Sequence, residues 1–195
     1  MANEKDSLHE RGRSLEAEYF RRRDQELLER AREQEAETER RRQLAAAIGM
    51  DDAGDAMVAT LRQLGFDAGT VPLLEVLPAI QVAWADGSLP DKERREIERI
   101  LTRPEIKEAA RQGSRLVEEW LSRQPGADLY RLAIEVLQLR LARLDPEART
   151  RMIATILGEC NAVAGASGGV FGLGTHSSVE SERIKELAAA LGVSS

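Results

Sequence analysis

Residues 71–85 constrain the fold more than any other stretch of the chain. They are apolar on every side of a helix except at Glu75 and Gln81, and a helix without a polar face has to be surrounded by other elements. Pro78 either kinks this helix or marks its true start, because the proline ring clashes with the preceding turn. The stretch therefore predicts a helix in the middle of a bundle.

The rest of the chain after residue 50 predicts helices that pack around this centre. Asp51 or Asp52 is the expected cap of a short first helix, and Asp145 with Pro146 starts a long one. No segment has the pattern of a strand. We predict an all-α protein with a compact bundle of seven or eight helices. After residues 71–85, the segments with apolar residues at helical spacing are 90–101, 104–112, 114–122, 129–144, 146–166 and 179–191.

The joint after the apolar stretch concentrates acidic residues. The chain turns after Asp86, and Ser88 is the expected cap of a new helix with Pro90 in its first turn. Asp91 and Glu93 follow within the same few residues. Such a cluster is either a turn with a helix cap or a cation site.

The joint contains half of the calcium-binding EF-hand loop. Gly87 and Glu93 have the spacing of that loop's central glycine and its bidentate glutamate. Val82 and Trp84 stand where the first two oxygen ligands belong, so this loop alone cannot enclose a calcium ion. The alternative is that the joint binds no ion and that its acidic residues only interact favourably with the positive end of the next helix. The candidates for further oxygens are Asp91, Asp51, Asp52, Asp55 and Glu180.

The joint returns in degraded form near the C-terminus. Residues 163–168 repeat the pattern of residues 82–87, and after a glycine-rich insertion at 169–174 the alignment places Glu180 on Glu93. An offset of about 80 residues is too long for a solenoid and predicts a duplicated helical half-domain. The halves are expected to pack through their central helices, 71–85 and 146–166. The glycine-rich loop is expected either to fill a gap in the bundle or to dock on a partner.

These motifs resemble a known family. The pattern Ala-x-Ala-Asp-Gly-x-Leu-x-x-x-Glu at residues 83–93, followed by Ile97, Ile100 and Leu101 and then repeated, resembles the tellurite-resistance TerB-like family over residues 55–191. The resemblance implies an all-helical domain from bacterial stress-related gene neighbourhoods. It also implies that acidic loops bind a divalent cation, calcium being the expected ion.

The resemblance identifies the candidate metal ligands. Asp86 and Glu93 match the family's acidic pair, whereas Ser167 stands where the second copy should have an aspartate. At most Glu180 therefore carries over from the second copy. With the neighbouring acidic residue of the joint included, the candidate ligands are Asp86, Asp91, Glu93 and Glu180.

Residues 1–49 form a separate predicted domain, a charged helical arm preceding the helical domain at 50–195. They hold 11 Lys/Arg against 12 Asp/Glu, and opposite charges four apart, such as Glu18 and Arg22, support a long helix. Their apolar residues lie on different faces and make no heptad seam. The arm is either a solvated extension or a surface for a protein partner or self-association.

Composition narrows the function further. The net charge of −6 argues against nucleic-acid binding, and no apolar run reaches membrane-spanning length. Cys160 is the only cysteine, so no internal disulfide can form and a reducing cytoplasm is expected. Its place in the apolar stripe of segment 146–166 predicts an inert core thiol. The polar N-terminus offers no signal region. Two histidines support neither a catalytic triad nor a zinc site. We predict a non-enzymatic TerB-like domain that binds a divalent cation at the Asp86 and Glu93 loop and carries an interaction arm. A purely structural adaptor with no metal role is the alternative.

Overall fold

The computed structural model describes residues 2–52, 55–166 and 178–193, with side chains at residue 16 and from residue 18 onwards. Over these ranges the protein is helical and contains no strand, which confirms the predicted all-α class. A 3₁₀ helix over Val71–Glu75 precedes the third α-helix. The α-helices are α1 (Ala2–Ile48), α2 (Ala56–Gln63), α3 (Leu77–Ala83), α4 (Asp91–Ile100), α5 (Pro104–Gln112), α6 (Ser114–Ser122), α7 (Ala127–Ala142), α8 (Pro146–Ala166) and α9 (Ser178–Ala190).

The chain divides into two compact units, Met1–Arg40 and Arg41–Ser195. The second unit begins inside α1, because Leu44 and Ile48 are fully buried in its core. Gly49 ends the helix with a φ of +85°, which a glycine adopts without strain. The predicted boundary at residues 49 and 50 follows the end of the helix, whereas the boundary between the units follows burial.

Helices α3 and α8 pack against each other in the second unit, and α4, α7 and α9 surround the pair. Every residue of α3 except Gln81 is buried, as expected for a helix without a polar face. Pro78 lies in the first turn of α3, so the apolar stretch is a 3₁₀ helix followed by an α-helix that starts near the proline. The proline ring cannot fit inside a continuous helix, which explains the break. The glycine-rich insertion lies outside the described residues, and the internal repeat stays a prediction.

Two predicted helix starts have different outcomes. The Asp145 carboxylate accepts a 2.8 Å hydrogen bond from the amide of Ala148, which confirms it as the cap of α8. The prediction for α2 was wrong, because its cap is Asp55 rather than Asp51 or Asp52. The Asp55 carboxylate accepts a 2.7 Å hydrogen bond from a backbone amide in the first turn of α2.

Candidate functional site

The acidic joint between α3 and α4 is a compact turn built around Asp86. One oxygen of its carboxylate accepts hydrogen bonds from both the backbone amide and the hydroxyl of Ser88, each 2.9 Å long. Gly87 has a φ of +87°, a conformation that favours glycine. The Asp86 side chain therefore stabilises the loop that turns the chain, as Asx turns do.

Ser88 does not cap α4, so that prediction was wrong. The residue preceding the helix is Pro90, in an extended conformation with φ −62° and ψ 150°. Its side chain has no polar atom, and the Ser88 hydroxyl is engaged by Asp86 instead. Asp91 and Glu93 lie in the first turn of α4, where negative charge interacts favourably with the helix dipole.

The four predicted ligands have different environments. Asp86 and Asp91 are exposed, whereas Glu93 and Glu180 are only 2% and 6% exposed. Both buried glutamates lie in the first turn of a helix, α4 for Glu93 and α9 for Glu180. Within the described part of the chain, no three histidine, cysteine, aspartate or glutamate residues form a group that could hold a metal ion. Cation binding at this joint stays a prediction.

The joint is tied to the end of α6 by three hydrogen bonds that sequence reasoning missed. The indole nitrogen of Trp84 donates to the carbonyl of Trp120 over 3.0 Å. The Gln124 side chain donates to the Trp84 carbonyl over 3.2 Å, and the Arg94 guanidinium donates to the Leu121 carbonyl. These contacts fix the direction in which α4 leaves the turn.

A second polar cluster lies among Glu75, Arg103, Arg140 and Glu159, which we call the ion-pair network. Arg103 lies 3.4 Å from Glu75 and 3.1 Å from Glu159, and Arg140 lies 2.7 Å from Glu75. The four side chains are 9–26% exposed. The network joins the 3₁₀ helix, the turn before α5, α7 and α8.

Burial dominates the chemistry of Glu159 within this network. It raises the pKa of the carboxyl to about 7, although nearby Arg103 acts in the opposite direction. One Glu159 oxygen and the Arg103 Nε atom are buried without a hydrogen-bond partner in the described structure. Glu75 is one of the two polar exceptions in the apolar stretch, and that exception was the available sequence signal for the network.

The second unit also contains an open cleft of about 540 Å³ between α3, α7 and α9. Its walls include Gln81, Ile134 and Leu187. Arg183 and Glu186 also line it and form an ion pair in which the nitrogen and oxygen atoms are 2.6 Å apart. Tyr130 also lines it, but its hydroxyl is buried and burial raises its pKa. The described lining contains no serine, cysteine or histidine, and thus no side chain of the kinds that most often act as nucleophiles.

Cys160 lies in α8 and is fully buried in the hydrophobic core of the second unit. Burial raises the pKa of its thiol to about 12. Because the thiolate is the reactive form, such a thiol is unreactive near neutral pH. The predicted core position of Cys160 is confirmed.

The first unit has a different kind of surface. Tyr19, Phe20, Leu27 and Leu28 of α1 are each 53–60% exposed. The rings of Tyr19 and Phe20 meet edge to face with their centroids 5.8 Å apart. We call these four side chains the arm patch. They are too exposed to contribute to a hydrophobic core within the described chain.

Comparisons of the chain with protein-family models, with characterised proteins and with solved structures gave no match. The TerB-like resemblance therefore stays a prediction. Among the helices described, none combines the length and apolar character needed to cross a bilayer.

Proposed function

We propose that the protein is a non-enzymatic interaction protein in which α1 binds another protein chain. The observation that carries this proposal is the arm patch, four large apolar side chains exposed within residues 19–28. Exposed apolar groups that lie close together are typical of interaction surfaces. Aromatic residues such as Tyr19 often supply a large part of the binding energy in such interfaces.

The distribution of residues along α1 supports binding over a purely solvated helix. A solvated helix needs only charged and polar residues, and residues 32–43 have that composition, with Ala36 as their one apolar residue. The large apolar side chains are instead concentrated at residues 19–28, where water surrounds more than half of each. Covering these side chains with another surface would remove apolar area from water, which is favourable.

A TerB-like, cation-binding role for the second unit is a second proposal. The observation that favours it is the burial of Glu93 and Glu180 in the first turns of α4 and α9, at positions that the predicted repeat aligns. Calcium is the first ion to test. We also propose a cytoplasmic location, because a single buried cysteine, Cys160, suits a reducing compartment.

The interaction role is tested with the full chain carrying Phe20→Ser, Leu27→Ser and Leu28→Ser together. We expect this variant to lose the associations of the wild type, measured by sedimentation velocity and by quantitative affinity purification. Leu64→Ser is the matched control, because Leu64 is 41% exposed but belongs to the second unit. Unchanged associations in the triple variant would reject the role of the arm patch.

A further inference from the structure

The charges of α1 show an antisymmetry about Glu29. Reflection through this residue places residue n on residue 58 − n, and between residues 16 and 42 each charged side chain then meets an opposite charge or an uncharged residue. Glu29, which meets itself, is the exception. The oppositely charged pairs are Glu16 with Arg42, Glu18 with Arg40, Arg21 with Glu37, Arg23 with Glu35 and Glu26 with Arg32.

Such a reversal of sign about one residue is compatible with two identical helices that pair in opposite directions. In an antiparallel pair with its twofold axis at residue 29, position n of the contacting face of one copy lies near position 58 − n of the other, and the residues that flank this face meet the equivalent flanking positions. A twofold interface makes each contact twice. We propose that the partner of α1 is α1 of a second copy of this chain, paired antiparallel about Glu29. The inference rests on the proposed role of α1 as the interaction arm.

A second pattern has the same symmetry centre. Positions 20, 24, 27, 31, 34 and 38 follow the alternating three- and four-residue spacing of one helix face. The reflection pairs Leu27 with Ala31, Phe20 with Thr38, and Asp24 with Gln34 of the second copy. All positions of this face thus meet positions of the same face. Glu29 lies 200° from Leu27 at 100° per residue, so its own like charge falls on the outer side.

The residues beside this face complete the complementarity. In antiparallel pairs, equivalent flanking positions face each other, which brings Arg21 near Glu35 on one side and Arg23 near Glu37 on the other. Arg21, Arg23 and Glu35 are exposed, and Glu37 is partly exposed. Leu28, 58% exposed, lies beside Leu28 of the second copy. The antiparallel pairing therefore covers Leu27 and Leu28 of the arm patch and brings opposite charges together at four places, whereas Arg30 faces Arg30 of the second copy in one like-charge contact.

The polar members of the face determine how strong the pairing is. Asp24, Gln34 and Thr38 provide register rather than apolar burial, and polar groups at such positions specify alignment at a cost in stability. The ion pairs are exposed and so are screened by salt. The dimer is therefore weak, reversible and favoured at low ionic strength.

The test uses full-length chains with exchanged charges. One variant carries Arg21→Glu with Arg23→Glu, and the other carries Glu35→Arg with Glu37→Arg. Each alone should dimerise at least about tenfold more weakly than the wild type, because four ion pairs become repulsive. Their equimolar mixture should regain wild-type dimerisation, since opposite charges then face each other again. Sedimentation equilibrium at low salt, with protein concentrations from roughly 10 to 500 µM, measures the dimerisation of each variant and of their mixture against the wild type.

The control is the variant with Arg22→Glu and Arg32→Glu, which makes the same change in net charge as the variant at Arg21 and Arg23. Both control positions lie outside the paired face and its flanks, so this variant should dimerise like the wild type. A monomeric wild type over the whole concentration range would overturn the inference. So would a failure of the mixture to recover, since the proposed pairing places the opposite charges of the two variants beside each other. If the wild type is monomeric but the triple serine variant still loses a bound protein, the proposed function stands and only the second-copy partner is rejected.

Discussion

Glu159 shows at the scale of one residue how tertiary structure changes the chemistry of a carboxylate. Its side chain is 9% exposed and lies 3.1 Å from Arg103, yet burial prevails and raises its pKa to about 7. The usual value for glutamate is 4.5. Between these two pH values the folded protein holds a proton that the unfolded chain has released.

This difference predicts a fall in stability with rising pH. Because the folded state binds more protons from pH 4.5 to 7, the contribution of Glu159 is fully present below pH 4.5 and is lost as the pH rises through 7. We expect the free energy of unfolding to fall by about 2–3 kcal/mol more in the wild type than in Glu159→Gln between pH 5 and 7.5. Urea denaturation at a series of pH values measures it. Glu147→Gln, an exposed control on the same helix, should keep the wild-type slope.

The acidic joint gives a second test at the residue scale. If Asp86 and Glu93 are cation ligands, Asp86→Asn and Glu93→Gln should each reduce affinity steeply, because each removes a negative oxygen. Glu180→Gln should have little effect unless both halves of the predicted repeat share one ion. Calorimetric titrations with calcium, magnesium and zinc measure these affinities. Wild-type binding no tighter than about millimolar for every ion would reject the cation proposal.

The same variants test the role of Asp86 in the turn. Its carboxylate accepts two hydrogen bonds from Ser88, and asparagine can accept equivalent bonds in turns and caps. If Asp86 only makes the turn, Asp86→Asn should cost at most about 1 kcal/mol of stability. Thermal denaturation without added ions checks this.

At the scale of elements, Gly113 allows α5 and α6 to approach the 3₁₀ helix closely. A Cβ atom at this position would lie 2.5 Å from a Leu73 methyl group and 3.1 Å from the Ala109 carbonyl oxygen. Leu73 is fully buried and cannot move aside freely. An added side chain at this position would therefore force Leu73 to shift within the core.

We expect Gly113→Ala to destabilise the protein by about 1–3 kcal/mol, through overpacking against the core. Urea denaturation measures the change. Gly126→Ala is the control, because a Cβ there would meet no atom within 4 Å. Equal stability of the two variants would show that Leu73 repacks at little cost.

At the scale of the whole molecule, the position of the boundary inside α1 decides what can be removed. Deleting residues 1–40 should leave the melting temperature of the second unit unchanged, since this unit begins at Arg41. Deleting residues 1–48 should destabilise it by several kcal/mol, because Leu44 and Ile48 are fully buried. Calorimetric melting of both deletions compares them. A large loss of stability from the shorter deletion would show that the arm supports the bundle.

Fold class and most helix positions could be predicted from the sequence because their signals are local. Helix α8 was predicted at both ends, from Pro146 to Ala166, since the cap, the proline and the apolar spacing all lie within the segment itself. The cap at Ser88 was wrong because its hydroxyl had a competing partner in the Asp86 turn. The arm boundary was placed at residue 49 because sequence marks the end of a helix, not the point where burial begins.

The sequence by itself determined that this chain is a helical bundle with α3 at its centre and a charged helix before it. Helical periodicity is a property of the local sequence, so it can be recognised without knowing which helices contact one another. Only the tertiary structure decided that Glu75 pairs with Arg103 and Arg140, which are 28 and 65 positions away, and that Trp84 bonds to the Trp120 carbonyl 36 positions away. It also decided that Glu93 and Glu180 are buried while Asp86 is not. Such contacts and pKa values depend on how helices dock, which is set by the packing of distant surfaces rather than by any local pattern.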